Sequence, residues 1–99
     1  MANAQEMSEL YAETERICLD FLQADLALCF TLADLLRIEL ECGEWDAARR
    51  VLAQTEKGHS VIASYLSFIA DSECRKEIEC GLMDLRTKLN NTGLQLIQR

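Results

Sequence analysis

Residues 21–40 read FLQADLALCFTLADLLRIEL and form the most apolar stretch of this 99-residue chain. They belong to a longer segment, residues 5–42, that contains neither glycine nor proline. Because those two residues interrupt helices, their absence predicts one long helix over residues 4–42. Two apolar stripes with helical spacing run along it. The first contains Leu10, Thr14, Ile17, Phe21, Ala24, Leu28, Thr31, Leu35, Ile38 and Cys42, and the second contains Cys18, Leu22, Leu26, Cys29, Ala33, Leu36 and Leu40.

Asp25 is the discordant residue, since an unpaired carboxylate in the middle of an apolar arc is costly. Two explanations are open. Asp25 caps a new helix after a break near residues 23–24, because aspartate is a favoured N-cap. Alternatively, the helix continues and Asp25 pairs with an arginine from a later helix. The stripe keeps its phase across Asp25, and this favours a continuous helix.

Breakers and caps divide the rest of the chain. Gly43 is typical of the residue that ends a helix, and a second helix follows over 45–70. Gly58 lies inside that helix as either a close-packing point or a bend. Asp71–Ser72–Glu73 predicts a turn with an N-cap, and a third helix is expected over 72–91, ended by Asn90–Asn91–Thr92–Gly93.

Short connections make consecutive helices antiparallel neighbours. The sequence therefore predicts a single all-α domain over residues 1–99, an antiparallel helical bundle of three long helices. The number becomes four if helix 1 breaks near Asp25. A continuous helix 1 is longer than its two partners, so its N-terminal part would overhang them. The overhang carries Leu10, Ile17 and Phe21, which a second copy or a folded-back helix would have to cover.

The charge of the chain limits its partners. Its formal net charge is -7, and a negative surface disfavours nucleic acid and anionic membranes. Residues 1–46 hold eleven acidic and two basic side chains, whereas residues 47–99 hold six acidic and eight basic ones. This asymmetry has two interpretations. The first helix packs against later helices of complementary charge, or it offers a docking face to a basic partner.

The cysteines and the single histidine form no recognisable chemical motif. Five cysteines without a CxxC pair, after a polar N-terminus without a signal-peptide pattern, predict a reducing cytoplasmic compartment. The apolar stretch is interrupted by Asp34, Arg37 and Glu39, so no membrane span is expected. Phosphate-binding loops and nucleophile motifs are missing, and a lone ExxH ending in His59 does not make a di-metal site. No enzyme activity and no cofactor are predicted.

A non-enzymatic interaction or self-assembly module is the favoured function, with a protein partner or a homo-oligomer, most simply a dimer. Phe30 is expected to project toward the polar side of helix 1, and Trp45 to pack at the hairpin corner. The alternative is a metal, redox or small-ligand sensor that uses His59 and cysteines, above all Cys74, between helices. The candidate interaction surface comprises Leu10, Ile17, Phe21, Leu26, Phe30 and Trp45.

Residues 32–55 resemble one unit of the tetratricopeptide (TPR) family. Residues 43–46, Gly-Glu-Trp-Asp, stand at the turn between the two helices of the unit, and Ala48 stands at the small crossing position. The pattern is incomplete, because Leu36 stands where the family has glycine and Glu39 where it has an aromatic residue. Solenoids need at least three repeats, so one unit implies a TPR-like central hairpin inside a bundle.

Overall fold

The structure, a computed structural model, describes residues 3–97, apart from the side chains of residues 95–97. Three α-helices account for most of this part of the chain: α1 (Ala4–Glu41), α2 (Trp45–Tyr65) and α3 (Ser72–Ile97). A 3₁₀ turn at Leu66–Phe68 follows α2 directly, and no strand occurs within residues 3–97. The all-α prediction is confirmed.

The first helix is continuous, as its stripe pattern favours. Its N-cap is Asn3, whose side-chain oxygen accepts a hydrogen bond of 2.8 Å from the backbone N–H of Glu6. The helix runs through Asp25 without interruption, so the predicted alternative of a break there is wrong. Asp25 is half-buried, and none of the ion pairs among residues 3–97 includes it. The arginine partner expected for a continuous helix is therefore not found in this part of the chain.

Gly43 ends α1 in the way its position predicts. It adopts a left-handed conformation with φ +75°, which an L-residue with a Cβ adopts only under strain. The N–H of Gly43 donates to the carbonyl of Leu40 at 3.2 Å, and the N–H of Glu44 donates to the carbonyl of Glu39 at 2.9 Å. These two bonds form a Schellman motif, which satisfies carbonyls at the helix end and reverses the chain.

The predicted ends of helices 2 and 3 require correction. The α-helical part of helix 2 ends at Tyr65 rather than at residue 70, because the chain extends at Ile69 and buries that side chain in the core. Asp71 then caps α3 by accepting from the N–H groups of Glu73 and Cys74 at 2.9 and 3.1 Å, which confirms the predicted N-cap.

Helix 3 was expected to end at residues 90–93, and this expectation is wrong, since α3 continues to Ile97. Asparagine and glycine lower helix propensity by at most about 1 kcal/mol each, and no proline blocks the backbone hydrogen bonds here. Thr92 also fits the helix, since its hydroxyl donates to the carbonyl of Lys88 at 2.8 Å. Weak propensity at these positions therefore does not stop the helix.

All three helices contribute to one apolar core, and each helix packs against the other two. The contribution of α1 is its second stripe, the one that begins at Cys18. Gly58 is a close-packing point, because a Cβ there would lie 2.6 Å from the Sγ of Cys29. The core residues are Leu22, Cys29, Ala33, Leu36, Leu40, Ala48, Val51, Ile62, Ile69, Ile78, Leu82, Leu85 and Leu89.

The described part of the chain is elongated, because α1 is longer than its neighbours. Its longest dimension is 61 Å and its radius of gyration 17.2 Å, against about 13 Å for a globular domain of about 100 residues. The backbone N–H of Ala70 donates a hydrogen bond to the carboxylate of Glu15, so the turn before α3 meets α1 at this level. Every residue from 4 to 14 is exposed, so an overhang is present and carries Leu10, whereas Ile17 and Phe21, also expected on it, lie level with the packed part of α1.

Candidate functional site

The first apolar stripe of α1 is exposed along the whole helix. We call its positions within α1, Leu10 to Ile38, the outer stripe, which leaves out Cys42 at the helix C-cap, and we extend it by one position, Met7, which continues the same alternation of three- and four-residue steps. Leu10, Ile17 and Phe21 are exposed by 59%, 61% and 63%, and Leu28 by 55%. All ten positions fall in the exposed class: Met7, Leu10, Thr14, Ile17, Phe21, Ala24, Leu28, Thr31, Leu35 and Ile38.

The outer stripe is exposed because the partners of α1 lie on another side of it. We call the second stripe, with Cys18, Leu22, Leu26, Cys29, Ala33, Leu36 and Leu40, the inner stripe. Contacts from α2 and α3 reach α1 at the inner stripe, as the approach of Gly58 to Cys29 and of Gly81 to Leu26 shows. In a helix, residues on the a and d positions of a heptad point away from those on b and f. The outer stripe is therefore left largely uncovered by the described residues, and every one of its positions stays in the exposed class.

Three predicted surface residues lie elsewhere. Leu26 is half-buried on the inner stripe, and a Cβ at Gly81 would lie 2.5 Å from its Cδ2. Phe30 lies on the expected side of α1, next to the Asp34–Lys88 pair, but it is not free there to form a contact surface. It is half-buried against the core, and the Nζ of Lys88 lies 5.9 Å from its ring centroid. Trp45 is half-buried against the core at the start of α2, in agreement with its expected place at the hairpin corner.

Other exposed residues were missed among the candidates. Leu28, Leu35 and Ile38 continue the outer stripe beyond Phe21, and their regular spacing was the signal that could have identified them. Tyr65 and Phe68 are exposed at the end of helix 2, with ring centroids 5.9 Å apart. Together with Tyr11, Thr14, Glu15, Cys18 and Ala70 they line an apolar cleft where the overhang begins. This cleft depends on the tertiary structure, so the linear sequence contains no signal for it.

Acidic residues flank the outer stripe on both sides. The outer stripe supplies a positions of a heptad at Met7, Thr14, Phe21, Leu28 and Leu35, and d positions at Leu10, Ile17, Ala24, Thr31 and Ile38. The acidic residues occupy e positions, one residue after each d, and g positions, one residue before each a. We call this set the acidic border: Glu13, Asp20, Asp25, Asp34, Glu39 and Glu41. No lysine or arginine occupies an e or g position between Met7 and Glu41.

Two members of the acidic border have basic partners. Asp34 accepts a hydrogen bond from the ammonium of Lys88 on α3, and this bond holds the pKa of the Asp34 carboxyl below its ordinary value. Glu41 pairs with Arg37 at 3.1 Å, one turn away on the same helix. The other four have no basic group within 4 Å in the described part of the chain. The border therefore keeps most of its negative charge beside the exposed apolar stripe.

His59 and Cys74, the ligand residues of the alternative sensor function, do not form a metal-binding cluster among the described residues. His59 is half-buried in an open groove between α2 and α3 that is also lined by Leu82, Met83 and Arg86. Cys74 lies against the core near the start of α3, where burial, and then the nearby carboxylates of Asp71 and Glu77, raise the pKa of its thiol. Within residues 3–97 no three His, Cys, Asp or Glu side chains are grouped so that they could hold a metal ion.

The chain has no match among protein-family models, curated proteins or solved structures. In the part of the chain that the structure describes, no helix combines the length and the apolar character required to cross a membrane.

Proposed function

We propose that this chain is a small non-enzymatic interaction module that docks a helix along the outer stripe of α1. The observation that carries the proposal is the exposure of all ten stripe positions over 32 residues. Large contiguous apolar patches on soluble domains mark interaction sites. Heptad spacing sustained over four repeats is the pattern by which one helix packs its side chains between those of another.

The interaction partner is either a second copy of this chain or another protein. A homodimer is the simplest assembly, because most homo-oligomers are dimers with a twofold axis. Either partner would bury the overhang, which the chain's own α2 and α3 are too short to reach. We therefore propose the outer stripe, rather than the half-buried Leu26, Phe30 and Trp45, as the contact surface.

The proposed arrangement within one chain is an antiparallel bundle with a TPR-like α1–α2 hairpin. Contacts support it: Cys29 of α1 meets Gly58 of α2, and the loop that joins the helices lies midway between these residues in sequence. Ala48, the small residue of the TPR-like pattern, is fully buried in the core. The five cysteines are free thiols, which supports the proposed reducing cytoplasmic compartment.

The proposal that the module is non-enzymatic draws support from its thiols. Burial and the charge of Asp25 raise the pKa of the Cys29 thiol, and the pKa of Cys74 is raised as well. A raised thiol pKa lowers the thiolate fraction and with it the nucleophilicity and metal affinity of the residue. Cys29 and Cys74 are therefore poorly suited to act as nucleophiles or metal ligands, and they fit a structural role.

Sedimentation velocity and peptide binding test the interaction proposal together. We expect the wild-type chain either to self-associate or to bind a synthetic amphipathic helix that carries leucines at alternating three- and four-residue steps. The variant Phe21→Gln/Leu28→Gln should lose that interaction. The matched control Val61→Gln/Met83→Gln replaces exposed apolar residues on α2 and α3 and should retain it. A wild-type chain that is strictly monomeric and binds no such helix would contradict the proposal.

A second candidate function is the binding of a small ligand in the groove beside His59. The supporting observation is that this histidine lines an open, largely apolar groove together with Arg86. The guanidinium of Arg86 is already engaged by two hydrogen bonds of 2.7 Å with the Glu56 carboxylate, which leaves it less available to an anionic ligand. Calorimetric titration with Zn²⁺, repeated on His59→Ala, tests the metal form of this candidate. Stoichiometric binding that requires His59 would favour it.

A further inference from the structure

The outer stripe and its acidic border together define a class of partner. We propose that the outer stripe binds an amphipathic helix of another protein, one whose own apolar stripe is flanked by lysine and arginine. This inference rests on the proposed function and narrows it to one occupant. It uses three observations: the spacing of the stripe, the sign of the border, and the absence of a second long apolar stripe on the described surface.

The spacing requires a helical occupant. From Met7 to Ile38 the exposed positions alternate steps of three and four without a skip, so the pattern repeats every seven residues, or two positions per heptad. That period keeps side chains in register with a second helix that winds around the first, whereas a strand or an extended peptide has no such period. A 32-residue stripe extends over about 48 Å of helix, so the occupant has to be a long helix.

The border disfavours α1 of a second copy as the occupant. In a parallel pair of helices the g position of one helix faces the e position of the other, and these flanking residues set partner choice. In an antiparallel pair g faces g and e faces e. Because the charged e and g residues of α1 are all acidic, both arrangements oppose carboxylates to carboxylates. Like charges placed across an interface act against the pairing.

The described surface of a second copy outside α1 offers no other long apolar face that could occupy the outer stripe. Outside α1, the exposed large apolar residues are Val61, Tyr65 and Phe68 near the end of helix 2, and Met83 and Leu94 on α3, within the residues whose side chains are described. None of these sets continues for more than about two helical turns at stripe spacing. A second copy therefore lacks a long apolar face that would complement the outer stripe without bringing its own acidic border.

A helix with an apolar stripe flanked by basic residues complements both the outer stripe and the acidic border. Its apolar residues would fill the outer stripe, and its flanking lysines or arginines would face Glu13, Asp20, Asp25 and Glu39, the four border carboxylates that have no basic group within 4 Å in the described part of the chain. Between Ala4 and Glu41 the helix holds nine acidic and two basic residues. That charge also attracts a cationic segment before contact and raises the association rate at low ionic strength.

Two synthetic helices of equal length and identical apolar stripe test the inference, one with lysine and one with glutamate at the flanking positions. Fluorescence anisotropy with the full chain should show the lysine peptide binding at least about tenfold more tightly, a difference that shrinks as salt is added. Glu13→Lys/Asp20→Lys should reduce or reverse this preference. Glu77→Lys/Asp84→Lys makes the same charge change on α3 and should preserve it.

The outcomes separate this inference from the proposed function. Equal binding of both peptides would overturn the charge selectivity and leave helix docking in place. A wild-type dimer at neutral pH and low salt that Phe21→Gln/Leu28→Gln dissociates would identify a second copy as the occupant, which overturns the inference alone. Binding of neither peptide by a monomeric chain would overturn both. Circular dichroism of every variant confirms that a lost interaction is not a lost fold.

Discussion

The inner and outer stripes of α1 have similar apolar residues, yet the inner stripe is packed in the core and the outer stripe is exposed. Leu36 on the inner stripe is 0% exposed, whereas its neighbour Leu35 on the outer stripe is 38% exposed. The inner stripe meets the close approaches of Gly58 and Gly81, and the outer stripe meets solvent. Hydrophobicity alone therefore does not decide which side of this helix becomes core. The side that small residues on α2 and α3 can approach closely is buried, and the side bordered by carboxylates stays open.

The largest expected effect of a single substitution distinguishes these two adjacent leucines. Leu36→Ala should lower the free energy of unfolding by about 2–5 kcal/mol, because it leaves a cavity in the core. Leu35→Ala should lower it by no more than about 0.5 kcal/mol, as is usual for surface substitutions. Urea unfolding followed by circular dichroism measures both. Equal losses for the two variants would show that inner and outer stripes are not distinct.

Gly58→Ala tests the close approach that selects the inner stripe. The new Cβ would lie 2.6 Å from the buried Sγ of Cys29, and overpacking of this kind costs about 1–3 kcal/mol. The gain in helix propensity offsets about 1 kcal/mol of that cost, so we expect a modest net destabilisation in urea unfolding.

Two further variants control for the glycine substitution. Gly93→Ala meets no atom within 4 Å and should be neutral or stabilising by up to about 1 kcal/mol. Cys29→Ala/Gly58→Ala removes the sulfur that the new Cβ would meet, so the alanine at position 58 should cost less in that background. An unchanged cost there would contradict the contact as its cause.

A smaller effect on stability is expected from the charged residues. It distinguishes the Glu56–Arg86 ion pair within the chain from the solvated carboxylates of the acidic border. Arg86 donates two hydrogen bonds to the Glu56 carboxylate, and these, opposed in part by desolvation, hold the pKa of Glu56 below its ordinary value of 4.5. A lowered folded-state pKa stabilises the fold above the unfolded pKa, and this contribution disappears as pH falls through the folded value. Both side chains are more than one-third exposed, so solvent screening limits the contribution to about 1 kcal/mol or less.

Glu56→Gln should therefore be less stable than wild type at neutral pH, and the difference should start to shrink near pH 4.5 and vanish once the pH is below the lowered folded-state pKa of Glu56. A pH series of urea unfolding curves measures this difference. Glu77→Gln is the control, since Glu77 has no basic partner within 4 Å among the described residues. A difference between wild type and Glu56→Gln that persists unchanged in acid would rule out the ion pair as its source.

The smallest expected effect is on the outer stripe itself. Phe21→Gln/Leu28→Gln should change the free energy of unfolding of the isolated chain by no more than about 0.5 kcal/mol. Leu22→Gln/Cys29→Gln places the same side chains one residue later, on the inner stripe, and should prevent stable folding, because each buried amide lacks hydrogen-bond partners. A loss of stability in the outer-stripe variant that depends on protein concentration would reveal a copy already covering the stripe.

Much of this structure was predictable from local signals. The length of α1, the Gly43 turn and the Asp71 cap follow from residues that act on their own backbone neighbours. The ends of helices 2 and 3 were not. Helix 2 ends early because Ile69 leaves the helix to enter the core, which depends on contacts distant in sequence. Helix 3 continues to Ile97 because the propensity costs of its asparagines and glycine are too small to end it.

The candidate site was likewise predictable only in part from the sequence. The period of the outer stripe and the acidic residues beside it are visible in the sequence, and so are Leu10, Ile17 and Phe21 as members of it. The inward positions of Leu26 and Phe30 were not visible. Leu26 packs beside Gly81 and Phe30 beside Lys88, more than fifty residues away in each case, and no local pattern encodes those contacts.

Local sequence is enough to make α1 one long helix with two apolar stripes, since helix breakers and side-chain periodicity act over a few residues. Which of the two stripes is buried depends on the packing of the three helices. That choice depends on where α2 and α3 approach closely, at Gly58 and Gly81, and on how far along α1 they extend. Because these helices are shorter than α1 and occupy only one side of it, its second apolar face and its N-terminal turns remain exposed beside their carboxylates.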